Sequence, residues 1–125
     1  MKYKLTDEKI ELEGRTLYRI ESLIDFTDVK IGDKGGFIEK EDNLSQEGNA
    51  WVSGNAWVSG NAQVFGNAWV SGDAWVYGNA RVADSALVSS NALVFGDARV
   101  SGNARVSGNA LVFGYARVEG NTVLK

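Results

Sequence analysis

Apolar and polar positions alternate on a six-residue period from Asn49 onward. The units read NAWVSG, NAWVSG, NAQVFG, NAWVSG, DAWVYG, NARVAD, SALVSS, NALVFG, DARVSG, NARVSG, NALVFG, YARVEG and NTVLK. Each carries an Ala-x-Val core followed by three turn residues. In an extended chain, residues two apart face the same side. Ala and Val therefore point inward and the variable x points outward. The Ser/Phe/Tyr-Gly-Asn triplet that follows tolerates positive φ, as a sharp corner requires. Short repeats of fixed period mark a solenoid, in which each unit buries its apolar side only by stacking on its neighbours. Three units make one triangular coil of about eighteen residues, and about five coils would rise roughly 24 Å at the ~4.8 Å strand spacing.

The pattern weakens toward the N-terminus. An eighteen-residue register carried backward puts Ile38 and Leu44 at the Ala position, and Lys40 and Gln46 at the Val position. Such a degenerate first coil suits a capping repeat. Residues 1–36 do not repeat. Segments 9–13 and 16–20 flank Gly14-Arg15 and predict a β-hairpin. Segment 21–26 fits either a strand or a short helix, and Gly35-Gly36 is a plausible joint. The expected division is an N-terminal β-hairpin cap over residues 1–36 and a repeat domain over 37–125. The last coil, ending at Lys125, is expected to offer unpaired backbone groups for end-to-end pairing.

The small-x-aliphatic-turn unit, met at Ala50-Trp51-Val52 and its successors, resembles the hexapeptide-repeat family of left-handed parallel β-helices. That resemblance covers residues 37–125 and implies an all-β fold, a left-handed parallel β-helix of about five triangular coils. The phrases LEGRTLYRIESLIDF and IGDKGGFIEKEDNLSQEGNAWV also resemble hexapeptide-repeat proteins of phages and prophages of Gram-positive bacteria. This second resemblance implies a phage-encoded protein in the host cytoplasm with a host protein as partner, such as a defence protein it inhibits.

Residues eighteen apart stack, so the outer faces can be written down. The first carries Trp51, Trp69, Leu87, Arg105 and Val123. The second carries Glu39, Trp57, Trp75, Leu93 and Leu111, and is bordered by Tyr77, Phe95 and Phe113. The third carries Ser45, Gln63, Arg81, Arg99 and Arg117. An outward apolar stripe of this kind could exceed the few hundred Å² that a monomer normally exposes, and aromatic residues dominate interface hot spots. Trp57, Trp75, Leu93, Leu111, Tyr77, Phe95, Phe113, Trp51 and Trp69 are therefore the candidate contact residues, for self-association into a dimer or trimer or for a foreign macromolecule. Residues 1–36 folding back over the stripe is the structural alternative. The Asn at each corner is read as an interior amide stack that caps its own backbone.

Charge and composition narrow the chemistry. Net charge is −3, and the chain has no Cys and no His. Disulfides, thiolate sites and the usual general base are excluded. The arginine row on the third face suggests phosphate tracking. Three arginines on a net acidic chain are too few, however, and Asp97 and Glu119 are expected to pair them, so nucleic acid is not the expected partner. No apolar run approaches a membrane span, and 1–10 lacks a signal-peptide core, so the expected setting is cytoplasmic. Much of the hexapeptide-repeat family consists of acyltransferases with a catalytic histidine and a looped-out insertion. This chain has neither, and its units from 49 to 121 are uninterrupted. The expectation is a non-enzyme without cofactor or metal. Two alternatives stay open: a polymer-forming assembly protein like the bactofilin-type β-helices, and an acyltransferase relative without the histidine.

Overall fold

The computed structural model describes residues 1–125. Three longer strands, β1 (Tyr3–Leu12), β2 (Arg15–Ser22) and β3 (Lys34–Ile38), precede a 3-10 turn at Glu41–Asn43. Thirteen two-residue strands follow, from Trp51–Val52 to Val123–Leu124. Those strands pair in parallel and in register, Trp57 with Trp75, Trp75 with Leu93, and Leu93 with Leu111. Three sheets result, one per face of an all-β parallel solenoid of about five turns. No helix is long and apolar enough to cross a membrane.

The inward pair forms the core. Every inward Ala from Ala50 to Ala104 and every Val from Val52 to Val106 is fully buried, Ala83 being a corner residue. An interior so narrow takes only a methyl on one side of each strand and an isopropyl on the other, and β-branched Val suits the pleated surface. Backbone donors run up the coil axis: Trp57 N–H donates to Ala74 C=O at 3.0 Å and Ser59 N–H to Val76 C=O at 3.0 Å. Corners close when the next Ala N–H reaches back to the residue after Val, as Ala56 donates to Ser53 C=O at 3.2 Å. Positive φ falls on the glycine of that corner, +62° at Gly54, and not on the Asn. Asp84 and Ser90 hold the same left-handed conformation with side chains, at φ 58° and 59°.

Segment 1–36 is a hairpin followed by bends and tight turns that lead into β3, without helix. Its turn lies at Glu13-Gly14, one residue earlier than Gly14-Arg15, with φ of 52° and 80°. Two positive φ values define the type I′ turn that matches strand twist. Strand β2 pairs antiparallel with β3, and β3 pairs parallel with the Trp57–Val58 strand. The hairpin thus continues the second-face sheet to seven strands beyond the first coil. Gly35 and Gly36 lie inside β3 and are no flexible joint. A Cβ on Gly35 would sit 2.5 Å from Val52 O, and one on Gly36 2.6 Å from Ala56 O. Only glycine lets this strand cross the coil mouth so closely.

The first coil departs from the eighteen-residue register. Phe37 pairs with Trp57, Ile38 with Val58 and Leu44 with Val64, a spacing of twenty residues. Ordinary spacing returns at Asn49, whose N–H donates to Gly66 C=O at 3.1 Å. Two extra residues therefore sit at the corner around Gln46 and Glu47. Ile38 and Leu44 take Val positions, not Ala positions, and Phe37 replaces Glu39 on the second face. The bulged corner holds the N-terminus. Gln46 Oε1 accepts from Lys2 N–H at 2.7 Å and Tyr3 N–H at 3.1 Å, and Gln46 Nε2 donates to Tyr3 C=O at 3.2 Å.

At the level of the first third-face strand, Asn43 does the work of a ladder. It is fully buried. Its Nδ2 donates to Gly60 C=O at 3.2 Å and Ala62 C=O at 2.9 Å, where backbone donors of a regular coil would point. Its Oδ1 accepts from Glu39 N–H at 3.0 Å and Lys40 N–H at 2.9 Å. One side-chain amide closes the sheet edge that the 3-10 turn leaves open.

Candidate interaction face

The second face is built from two outward columns, because x and the residue after Val lie two apart on each strand. One column holds Trp57, Trp75, Leu93 and Leu111. The other holds Ser59, Tyr77, Phe95 and Phe113. The parallel register stacks like on like. The Trp57 and Trp75 rings lie 4.4 Å apart at 14°, Tyr77 and Phe95 5.0 Å apart at 4°, and Phe95 and Phe113 5.5 Å apart at 12°. Stacking hides ring faces and leaves edges outward. Exposure is greatest on the last strand of the sheet: Trp75 is 36% exposed and Leu93 and Phe95 are half-buried, while Leu111 and Phe113 reach 55%. Tyr115, standing where other units have Asn, Asp or Ser, is 85% exposed.

At its cap end the face is overhung by the hairpin tip. Leu12, Glu13, Arg15 and Leu17 line a groove of about 450 Å³ with Trp57, Ser59, Asn61, Trp75 and Tyr77. The tip is fixed by Glu39, whose carboxylate takes Arg15 at 2.8 Å and Gly60 N–H at 2.7 Å. The Arg19 guanidinium lies 4.3 Å over the Phe37 ring and bonds Glu8 at 2.8 Å. Glu39 thus leaves the predicted outer column and anchors the groove wall instead.

The first face is different. Trp51 is 2% exposed. Phe26 packs edge-on at 5.3 Å and Tyr3 at 6.4 Å, so this side chain belongs to the core and offers no contact surface. Trp69, one coil on, is half-buried. Segment 1–36 therefore covers the first coil and Trp51, and overhangs Trp57 and Trp75 without burying the second face.

On the third face Arg81, Arg99 and Arg117 stand exposed and in register. The expected pairing with Asp97 and Glu119 is not formed; the ion pairs of the chain are Arg15–Glu39 and Arg19–Glu8. Asp97 instead ends an amide ladder at an exposed corner. Asn61 Nδ2 donates to Asn79 Oδ1 at 3.3 Å, and Asn79 Nδ2 to Asp97 Oδ1 at 3.2 Å. The corner asparagines are thus outside the coil, not an interior stack.

Lys2 and Tyr3 plug the coil mouth. Lys2 Nζ donates to Ala50 C=O at 2.7 Å and lies 5.1 Å from the Phe26 ring centroid. Burial lowers its pKa from 10.5 to about 8. The Tyr3 hydroxyl donates to the Leu44 and Glu41 carbonyls. Burial, then the charges of Glu41 and Asp42, push its pKa upward. Neither residue was flagged by its place in the sequence pattern.

Among known families, the one described as YdcK beta solenoid repeat matches this chain at residues 62–78, 74–90, 98–114 and 104–120. The match falls on the regular coils and supports a β-solenoid repeat protein. No curated protein matches the chain.

Proposed function

We propose that this β-solenoid is a non-catalytic binding protein that acts through its second face, where copies associate and where a foreign macromolecule would dock. The observation that carries the reading is the continuous Trp57–Leu111 and Tyr77–Phe113 surface, exposed at Trp75 under the hairpin tip and at Leu111 and Phe113 well beyond it. Stacked rigid rings lose little entropy on binding, which favours them as anchors. The missing histidine and the uninterrupted coils argue against acyl transfer. A host protein, implied by the phage-type resemblance, would use the same face.

Light scattering across about 5 µM to 1 mM, a range chosen to bracket weak dimers, tests the reading. The mass should climb from 13.5 kDa with concentration, and a Trp75→Glu/Leu111→Glu variant should stay monomeric. A wild-type chain that remains monomeric throughout removes self-association. Acyl-CoA titrated by calorimetry should give no binding heat; a binding isotherm would reopen catalysis.

A further inference from the structure

The second face is not uniform from end to end. Its cap end is hollow, with the small Ser59 at the floor of the groove under the hairpin tip. Its far end carries the large Phe113 and Tyr115 where the cap end has Ser59 and Asn61, and both are among the most exposed large apolar side chains of the chain. The two ends stand three coils apart, roughly 14 Å at the ~4.8 Å strand spacing. A hollow and a knob on one face, at opposite ends, fit each other when two copies run antiparallel.

We infer that two copies pair antiparallel through the second face, each lodging Phe113 and Tyr115 in the groove of the other; the inference rests on the self-association proposed above. The symmetry is a two-fold axis along the strand direction. It leaves each column facing its own kind with coil order reversed. Ser59 then opposes Phe113, Tyr77 opposes Phe95, Trp57 opposes Leu111, Trp75 opposes Leu93, and Asn61 opposes Tyr115. Small meets large at the ends. A two-fold contact of this kind is isologous and closes at the dimer.

Charge selects the same orientation. Through Gly48 the chain has eight basic and twelve acidic residues, net −4; beyond it there are five and four, net +1. Antiparallel copies set each acidic cap beside the weakly basic far coils of the other. A parallel pair would bring both acidic caps together and drive two hairpin tips into the same space. The face spans four coils, roughly 19 Å by 15 Å or about 300 Å² per copy. This is well below the ~800 Å² per partner of standard stable complexes, so the dimer should be weak, with Kd in the micromolar range or above.

The test exchanges knob and hollow. Ser59→Trp fills the groove; the fold accepts it, because Tyr77 and Phe95 already occupy the equivalent positions one and two coils on. Phe113→Ala removes the knob. Sedimentation velocity should show each variant alone as a monomer at concentrations where the wild type is dimeric. An equimolar mixture should recover dimer, since the mixed pair keeps one native contact and joins the filled groove to the missing knob. Circular dichroism confirms that both variants fold. Variants that dimerise like wild type, or a mixture that stays monomeric, overturn the antiparallel pairing while leaving self-association standing. A wild type monomeric at every concentration overturns both. Mass that grows beyond two copies overturns the closed two-fold and points to a head-to-tail polymer.

Discussion

Asn43→Ala should destabilise the protein far more than its place in a 3-10 turn suggests. The side chain is fully buried and makes four hydrogen bonds: two to carbonyls of the next coil and two from backbone amides of its own turn. Truncation leaves Ala62 C=O without the donor that a regular ladder supplies and strips Lys40 N–H of its acceptor, while Glu39 N–H keeps the Val58 carbonyl at 3.2 Å. Each buried polar group left unpaired costs about 1–3 kcal/mol. Gly60 C=O lies closest to solvent and can recover a water. Counting two stranded groups at the lower half of that range gives a loss of about 2–4 kcal/mol. Urea denaturation reads it directly. With a slope of about 1.5 kcal/mol/M, the midpoint should fall by about 1.3–2.7 M. Asn43→Asp is the discriminating control. It keeps the acceptor toward Glu39 and Lys40 but puts a carboxylate against the Gly60 and Ala62 carbonyls, so it should be no milder than alanine. Amide exchange should speed first at Glu39, Lys40 and the 61–64 segment, because solenoid ends open as units. A midpoint shift below ~0.5 M for Asn43→Ala, under 1 kcal/mol on the same slope, would refute the view that this amide replaces a missing strand.

Stability should rise as pH increases from about 8 toward 10, because folded Lys2 releases its proton near 8 while the unfolded chain holds it to 10.5, and folding is favoured wherever the unfolded state binds more protons. Above about 10 the trend should reverse, since unfolded Tyr3 ionises near 10.0 while the folded phenol keeps its proton; urea midpoints against pH would show the rise, and Lys2→Met should abolish it. Gly35→Ala and Gly36→Ala should each cost about 3 kcal/mol, the upper range for overpacking, since the added Cβ meets backbone oxygens at 2.5 and 2.6 Å; unchanged melting in either would show that β3 can lift off the coil mouth. Ser90→Gly should stabilise by about 1 kcal/mol by relieving its left-handed backbone, whereas Asp84→Gly should gain less because Asp84 Oδ2 accepts from Gly102 N–H at 2.9 Å; equal gains in thermal unfolding would deny that bond any weight.

The six-residue alternation of Ala50-Trp51-Val52 and its successors was enough to determine the solenoid, its inward column and its outer faces. That legibility has a physical cause: when every unit repeats, the neighbour of a residue is set by counting, and parallel register follows. Counting fails where the repeat fails. The two extra residues near Gln46 moved Ile38, Glu39 and Leu44 off their expected positions, and only the folded chain shows that Gln46 spends them on gripping Lys2 and Tyr3. Trp51 and Trp75 are equivalent letters in the repeat. The cap buries one under Phe26 and leaves the other outward, a difference decided by contacts across more than twenty residues of sequence. The groove beneath the hairpin tip is likewise a product of tertiary packing, because its two walls, Leu12–Leu17 and Trp57–Tyr77, belong to segments whose meeting no local pattern encodes.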